Sequence, residues 1–228
     1  MQTIRWHVYP SADAVRQKAV ALICRAADEA IARNGVFHLV LAGGTTPQAV
    51  YQSLREVSAE WAQWQIWFGD ERCLPAQDSG RNSLMVRLAW LAHVPLPAAQ
   101  IHAIPAERGA EAGAAAYAAA LREVAEFDLV LLGLGEDGHT ASLFPGQSWG
   151  AAADAPAALA VHDAPKLPSE RISLSASRLS QARQVVFLVT GSSKCEAVRR
   201  WREGENIPAA AIAPPDGVDV LLESAVAY

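Results

Sequence analysis

The sequence predicts an α/β fold with a largely parallel central sheet. Short apolar runs alternate along the chain with longer segments of helical periodicity. Runs such as FHLVL and FDLVLL are apolar at nearly every position, as in strands covered on both faces. Four of these runs, ending near Leu41, Phe68, Leu132 and Val189, lead straight into polar or glycine-rich turns.

Each element follows in order. TIRWHVY reads as a first strand. SADAVRQKAVALICRAADEAIARNG reads as a long helix, with Ser11 as N-cap and Asn34-Gly35 as its stop. VFHLVLAGGTTPQAVYQSL gives strand, glycine turn and helix, and Pro47 suits a first helical turn. WQIWFGDERCLP is a strand running into a loop, and SLMVRLAWLAHV has helical periodicity. IHAIP is short and extended, while EAGAAAYAAALREVAE is Ala-rich and helical. The stretch FDLVLLGLGEDGHTASLFPG is a strand followed by a glycine loop. AAADAPAALAVHDAPKLPSE is a Pro-punctuated connection with room for one strand. RISLS and QVVFLVT are strands, GSSKCEAVRRWREG is turn and helix, and DVLLESAVAY closes on a last strand. There is no internal repeat and no interdomain linker, so residues 1–228 are expected to form a single domain.

Composition narrows the function classes. A formal charge of −5 without clustered Lys and Arg argues against a nucleic-acid surface. An anionic small molecule needs only a few local cations and stays open. Cys24, Cys73 and Cys195 are odd in number and widely spaced, which argues against disulfides and a zinc site. MQTIRWHVYPSADAV lacks signal-peptide character, and no window has the length of an apolar membrane span. A cytoplasmic protein without a membrane partner is expected; nothing in the sequence sets its oligomeric state.

If the four strands are parallel neighbours, their loops converge where open parallel sheets bind ligands. The AGGTTP loop offers Gly43, Gly44 and Thr45 at a helix N-terminus, suited to a phosphate or simply to a tight capped turn. FGDERC supplies Asp70, Glu71 and Arg72, either a solvated ion-pair turn or a set that orients a sugar and holds an anion. Arg81-Asn82 opens a helix and can cap it or add polar contacts. Lys194 in GSSK sits at a helix start, an unfavourable place for a cation unless an anion joins it. Arg171 is a weaker candidate for the same anion.

Gly133, Gly135 and Gly138 spell G-x-G-x-x-G, yet Pro145-Gly146 cuts off the helix that a dinucleotide site needs. The glycines therefore serve loop geometry, not NAD. His139 then reads as a general base, with Glu136 and Asp137 near enough to fix its tautomer, or as a structural turn histidine. It has no metal-ligand partner at zinc spacing. Ser142 and Cys73 lack a nucleophile-elbow context, which disfavours an acyl-enzyme.

Together AGGTTPQAVY, WFGDERCLP with RNSL, LLGLGEDGHTASLFPG, RISLS and VTGSSK resemble the 6-phosphogluconolactonase family, within the group that includes glucosamine-6-phosphate deaminase. The motifs stand in family order over nearly the whole chain, and GEDGHTASLFPG is the most specific. The resemblance implies a Rossmann-like sugar-phosphate isomerase/lactonase architecture, with helices on both faces of the sheet. It implies hydrolysis of 6-phosphoglucono-δ-lactone, the second step of the oxidative pentose phosphate pathway, with a small-molecule phosphorylated sugar lactone as partner and neither nucleic acid nor membrane. It places His139 as the base that activates water, with Asp137 beside it and Asp70 as a further catalytic candidate. Gly43, Gly44, Thr45 and Lys194 take the phosphate end, Arg72 an anion or carbonyl contact, and Arg171 a further substrate contact. No cofactor and no metal are expected. Deaminases of the group look like GH-x-x-F-N-E-P, with a Glu five places after the His; here that place is Phe144. Cys195 stands where a small Ala is usual, and GRNS departs from the usual Ser-Asn pair. A deaminase or isomerase, and a non-catalytic sugar-phosphate sensor, are the rival readings.

Overall fold

In the computed structural model, residues 2–227 are described; Met1 and Tyr228, the outermost residues of the expected domain, signal-peptide reading and last segment, lie outside them. The elements run β1 (Ile4–Tyr9), α1 (Ala12–Asn34), β2 (Phe37–Leu41), α2 (Thr45–Ser53), β3 (Trp64–Phe68), β4 (Asp70–Arg72) and α3 (Asn82–Ala89). They continue with β5 (Ile101–His102), α4 (Ala110–Ala120), β6 (Phe127–Gly133), β7 (Ala158–Val161), β8 (Arg171–Leu174) and α5 (Ala176–Ser180). β9 (Ala182–Val189), α6 (Cys195–Arg202) and β10 (Val218–Glu223) follow, with short 3-10 turns between elements.

Seven strands form one parallel sheet in the order β1-β10-β9-β6-β2-β3-β5. The strands expected to carry the site, β9, β6, β2 and β3, are consecutive neighbours in it. Helices cover both faces, and β3 shows how. Trp64 and Trp67 are an odd number of residues apart and so point to opposite sides. Trp64 packs against Trp61 and against Trp90 at the end of α3, whereas Trp67 lies beside Tyr117 of α4. Trp64 is fully buried, and truncating it to Ala would cost about 3–5 kcal/mol.

Helix α1 begins and ends on the expected signals. Ser11 Oγ accepts from the Ala14 N–H at 3.2 Å. Gly35, in the left-handed region at φ 74°, donates to the Ile31 carbonyl at 2.8 Å. Its buried residues, Val15, Ala19, Leu22, Ile23, Ala27 and Ala30, repeat at helical spacing along one face.

One expectation is corrected. Asp70-Glu71-Arg72 is not a solvated loop but β4, the edge of a second, antiparallel sheet β4-β8-β7. The cause is tertiary. Glu71 is fully buried, and its carboxylate accepts the N–H groups of Asn82 at 2.7 Å and Ser83 at 2.8 Å. It thereby caps α3 from outside the helix, a role expected of Arg81-Asn82. Arg81 lies 3.0 Å from Glu71 and donates to the carbonyls of Leu74 and Ile104. A buried carboxylate stripped of such partners costs several kcal/mol.

Candidate active site

A cleft of about 340 Å³ opens beyond the carboxyl ends of β2, β3, β6 and β9. Gly43, Gly44, Asp70, Arg72, His139, Arg171 and Lys194 all line it. Thr45 faces a smaller adjoining pocket of about 140 Å³, which shares Gly43, Gly44 and Lys194 with the cleft. Asp137 stands behind His139 and completes the set.

His139 is fixed by its own loop. Its Nδ1 lies 2.5 Å from Asp137 Oδ1, and that same oxygen accepts the His139 backbone N–H at 3.1 Å. Gly135 donates to the His139 carbonyl at 2.7 Å, closing the turn. A Cβ at Gly135 would fall 2.0 Å from the imidazole, so the ring needs that glycine. The chain after Gly138 forms no helix, as the truncated fingerprint predicts. With Nδ1 turned to a carboxylate, Nε2 makes no hydrogen bond among the described residues and is free to accept a proton. Burial lowers the His139 pKa, and the hydrogen bond and charge of Asp137 only partly offset this. The ring is therefore neutral at neutral pH. Burial is the largest influence on Asp137 and would raise it, but the His139 side-chain hydrogen bond, its charge and the backbone N–H groups together outweigh burial and leave the carboxyl below its ordinary value.

Asp70 is anchored from two sides. Ser142 Oγ donates to its Oδ2 at 2.6 Å, and Asn82 Nδ2 donates to its Oδ1 at 3.0 Å. Burial pushes its pKa up, against the opposing effects of Ser142 and Arg72. Asn82 also explains Gly43, where a Cβ would come 2.2 Å from Asn82 Oδ1. Ser142, read from the sequence only as an unsuitable nucleophile, thus ties the His139 loop to β4.

The cations are distributed around this pair. Arg72 and Arg171 are direct register partners across β4 and β8. Like charges placed so are unfavourable unless an anion joins them. Arg72 donates to the Gly80 carbonyl at 2.6 Å, and its buried Nε has no partner among the described residues. Lys194 stands at the N-cap of α6, 4.0 Å from the exposed Glu136. Opposite it, α2 starts at Gly44, whose φ of 101° no other residue adopts comfortably, and no side chain caps its first N–H groups. Neither Thr45 nor Thr46 is a cap; Thr46 Oγ1 instead meets Thr190 Oγ1 at 2.6 Å.

Residues 10–221 match the family described as glucosamine-6-phosphate isomerases/6-phosphogluconolactonase. The chain belongs to this family. The 6-phosphogluconolactonase of Synechocystis sp. is 35% identical over 196 residues, covering 80% of this chain and 78% of that one. The GDH/6PGL endoplasmic bifunctional protein of Oryctolagus cuniculus is 35% identical over 221 residues, covering 90% of this chain. The chain spans only 27% of that relative's length. A solved structure described as devB protein, 31% identical, superposes with a TM-score of 0.88 over 99% of this chain and 98% of that one.

Within the family frame, two further features concern other readings of the site. Among the described residues no three His, Cys, Asp or Glu side chains cluster as metal ligands, and no helix is long and apolar enough to cross a membrane. All three cysteines are unpaired. Lys166 lines the cleft and was missed by sequence reasoning, because PKLP in an irregular connection carries no periodic or motif signal.

Proposed function

We propose that this chain is a 6-phosphogluconolactonase, hydrolysing 6-phosphoglucono-δ-lactone to 6-phosphogluconate in the pentose phosphate pathway. The observation that carries this reading is His139 itself. Its imidazole is locked through Nδ1 to Asp137, with Nε2 unpartnered among the described residues in a cleft rimmed by cations. His139 removes a proton from water as the oxygen attacks the lactone carbonyl, and Asp137 steadies the imidazolium that forms. The tetrahedral intermediate collapses with cleavage of the ring C–O bond, and His139 returns the proton to the departing ring oxygen. Arg72 and the N–H groups of the glycine loops stabilise the oxyanion. Lys194 and the uncapped start of α2, with Gly43, Gly44 and Thr45, hold the phosphate and orient the ring. Asp70, held by Ser142 and Asn82, accepts from a sugar hydroxyl. The whole chain acts as one domain and needs no metal or cofactor, and its unpaired cysteines support a cytoplasmic site of action.

Phe144 favours this reading over a deaminase. Its ring is buried 4.8 Å from the His139 ring and occupies the sequence position, five places after the His, of the Glu in the deaminase pattern. The test is direct: the protein is added to freshly made 6-phosphoglucono-δ-lactone and acid release is followed against the spontaneous rate. Release no faster than spontaneous hydrolysis overturns the proposal. Activity lost to a chelator and restored by zinc would overturn the metal-free mechanism.

A further inference from the structure

Residues 162–170, between β7 and β8, have no helix or strand, yet they reach the cleft through Lys166 and Leu167. Burial holds this strap at one small residue, Ala164, which packs with Phe144 and Val161, while its largest apolar side chain, Leu167, is 90% exposed. The strap is also held by Arg171, itself only 4% exposed. Arg171 Nε donates to the Pro168 carbonyl at 3.0 Å, and Nη2 donates to that of Lys166 at 2.7 Å and of Leu167 at 3.4 Å. The guanidinium also lies 5.4 Å from the centroid of Phe144, the ring packed on His139. At the strap's start, His162 Nδ1 meets Glu170 at 2.8 Å and its Nε2 meets Glu111 of α4 at 3.0 Å. The strap therefore has a defined course although most of its side chains, Lys166 and Leu167 among them, are in solvent.

A guanidinium with two nitrogens committed to strap carbonyls is poorly placed to serve mainly as a substrate ligand. The ammonium of Lys166 is the opposite case: it makes no hydrogen bond or ion pair among the described residues. The geometry points to Lys166 as a substrate-contacting cation at the His139 end of the cleft, with Arg171 as the residue that positions it. This rests on the lactonase reading of the site. Attack on the carbonyl moves an electron pair onto its oxygen, and the product keeps a negative charge there as a carboxylate. Lys166 neutralises that charge without forming a covalent bond, while Lys194 serves the phosphate at the other end. The charge of Lys166 already acts on His139, where it opposes protonation. The other groups facing His139 are Asp137 on its own loop and Asp70 on β4, and Arg200 of α6 donates to the Asp137 carbonyl at 3.3 Å.

The experiment compares wild type, Lys166→Met, Lys166→Arg and Arg171→Lys on 6-phosphoglucono-δ-lactone and on unphosphorylated gluconolactone. The His139 ring is titrated by NMR in each. Lys166→Met is expected to lose kcat about tenfold or more on both lactones, the factor one charge-assisted contact supplies. Lys166→Arg should keep most of the rate, and Arg171→Lys should fall in the same direction as Lys166→Met. His139 should titrate at higher pH in Lys166→Met, a shift that a merely structural lysine would not produce. Wild-type kinetics in Lys166→Met, or a loss confined to the phosphorylated lactone, overturns the inference while leaving the lactonase reading intact. An inactive wild type overturns both.

Discussion

The two ends of the parallel sheet are both rich in charge, and they use it in opposite ways. At the amino-terminal end Arg5, Arg33 and Arg183 each have a carboxylate. Arg33 meets Asp128 at 2.7 Å, Arg183 meets Glu126 at 3.0 Å, and Arg5, His7 and Gln184 converge on Asp219 at 2.8–3.0 Å. At the carboxyl end Arg72 and Arg171 face one another, and among the described residues Lys166 is unpaired and Lys194 has only a carboxylate 4.0 Å away. Charge density alone therefore does not mark the site. Uncompensated charge does, because a cation without a partner in the protein is poised for one in the ligand.

The largest expected effect tests the carboxyl end at its base. His139→Asn should lower kcat by roughly two to four orders of magnitude with the melting temperature little changed. A folded Asn variant with near-normal turnover would move catalysis to Asp70 or Asp137. Next, Lys194→Ala should weaken use of the phosphorylated lactone by about 1.5–3 kcal/mol in kcat/KM, with the unphosphorylated lactone scarcely affected. Equal losses on both substrates would contradict the phosphate-end assignment.

The amino-terminal end should answer differently. Asp219→Asn is expected to leave kcat unchanged and cost about 1–2 kcal/mol of stability, or a few degrees in Tm. Burial would raise the Asp219 pKa, but hydrogen bonds from Arg5, Gln184 and His7 outweigh it and hold the carboxyl well below its ordinary value. A depressed folded-state pKa stabilises the protein above the unfolded carboxyl's range, and that stability is lost as pH falls through it. The wild-type advantage over Asp219→Asn should thus shrink in acid unfolding, and a gap independent of pH would sink this account.

The smallest effect is a displaced pH limb. The lactonase rate should decline as His139 protonates, below the ordinary imidazole value of about 6.5 because burial lowers its pKa. A pH–rate profile whose acid limb lies above that value would show that Asp137 dominates over burial.

The fold was legible where local pattern and tertiary demand agree. β2, β3, β6 and β9 are apolar along their carboxyl-terminal halves because both faces are covered there, and α1 carries its own cap and stop. The His139 loop was legible for a similar reason, since glycine spacing and the early Pro145 are local facts. β4 was not, because the charges of DER look solvated until Asn82 and Ser83, far along the chain, supply N–H groups to Glu71. Lys166 was illegible too. Its place depends on carbonyls gathered by Arg171, and main-chain acceptors leave no trace in side-chain patterns.

The order of the strands also sets a timetable for synthesis. β1 is built before the other strands of its sheet, yet among the described residues its sole neighbour is β10, with Ile4 opposite Val218 and Tyr9 opposite Glu223. While the chain emerges from the ribosome, β1 must therefore wait unpaired until residues 218–223 have been made. β9, the other neighbour of β10, waits with its outer hydrogen-bonding side bare as well. A nascent chain stalled before residue 218 would display two open strand edges at once, a form suited to chaperone capture or to pairing with another nascent copy.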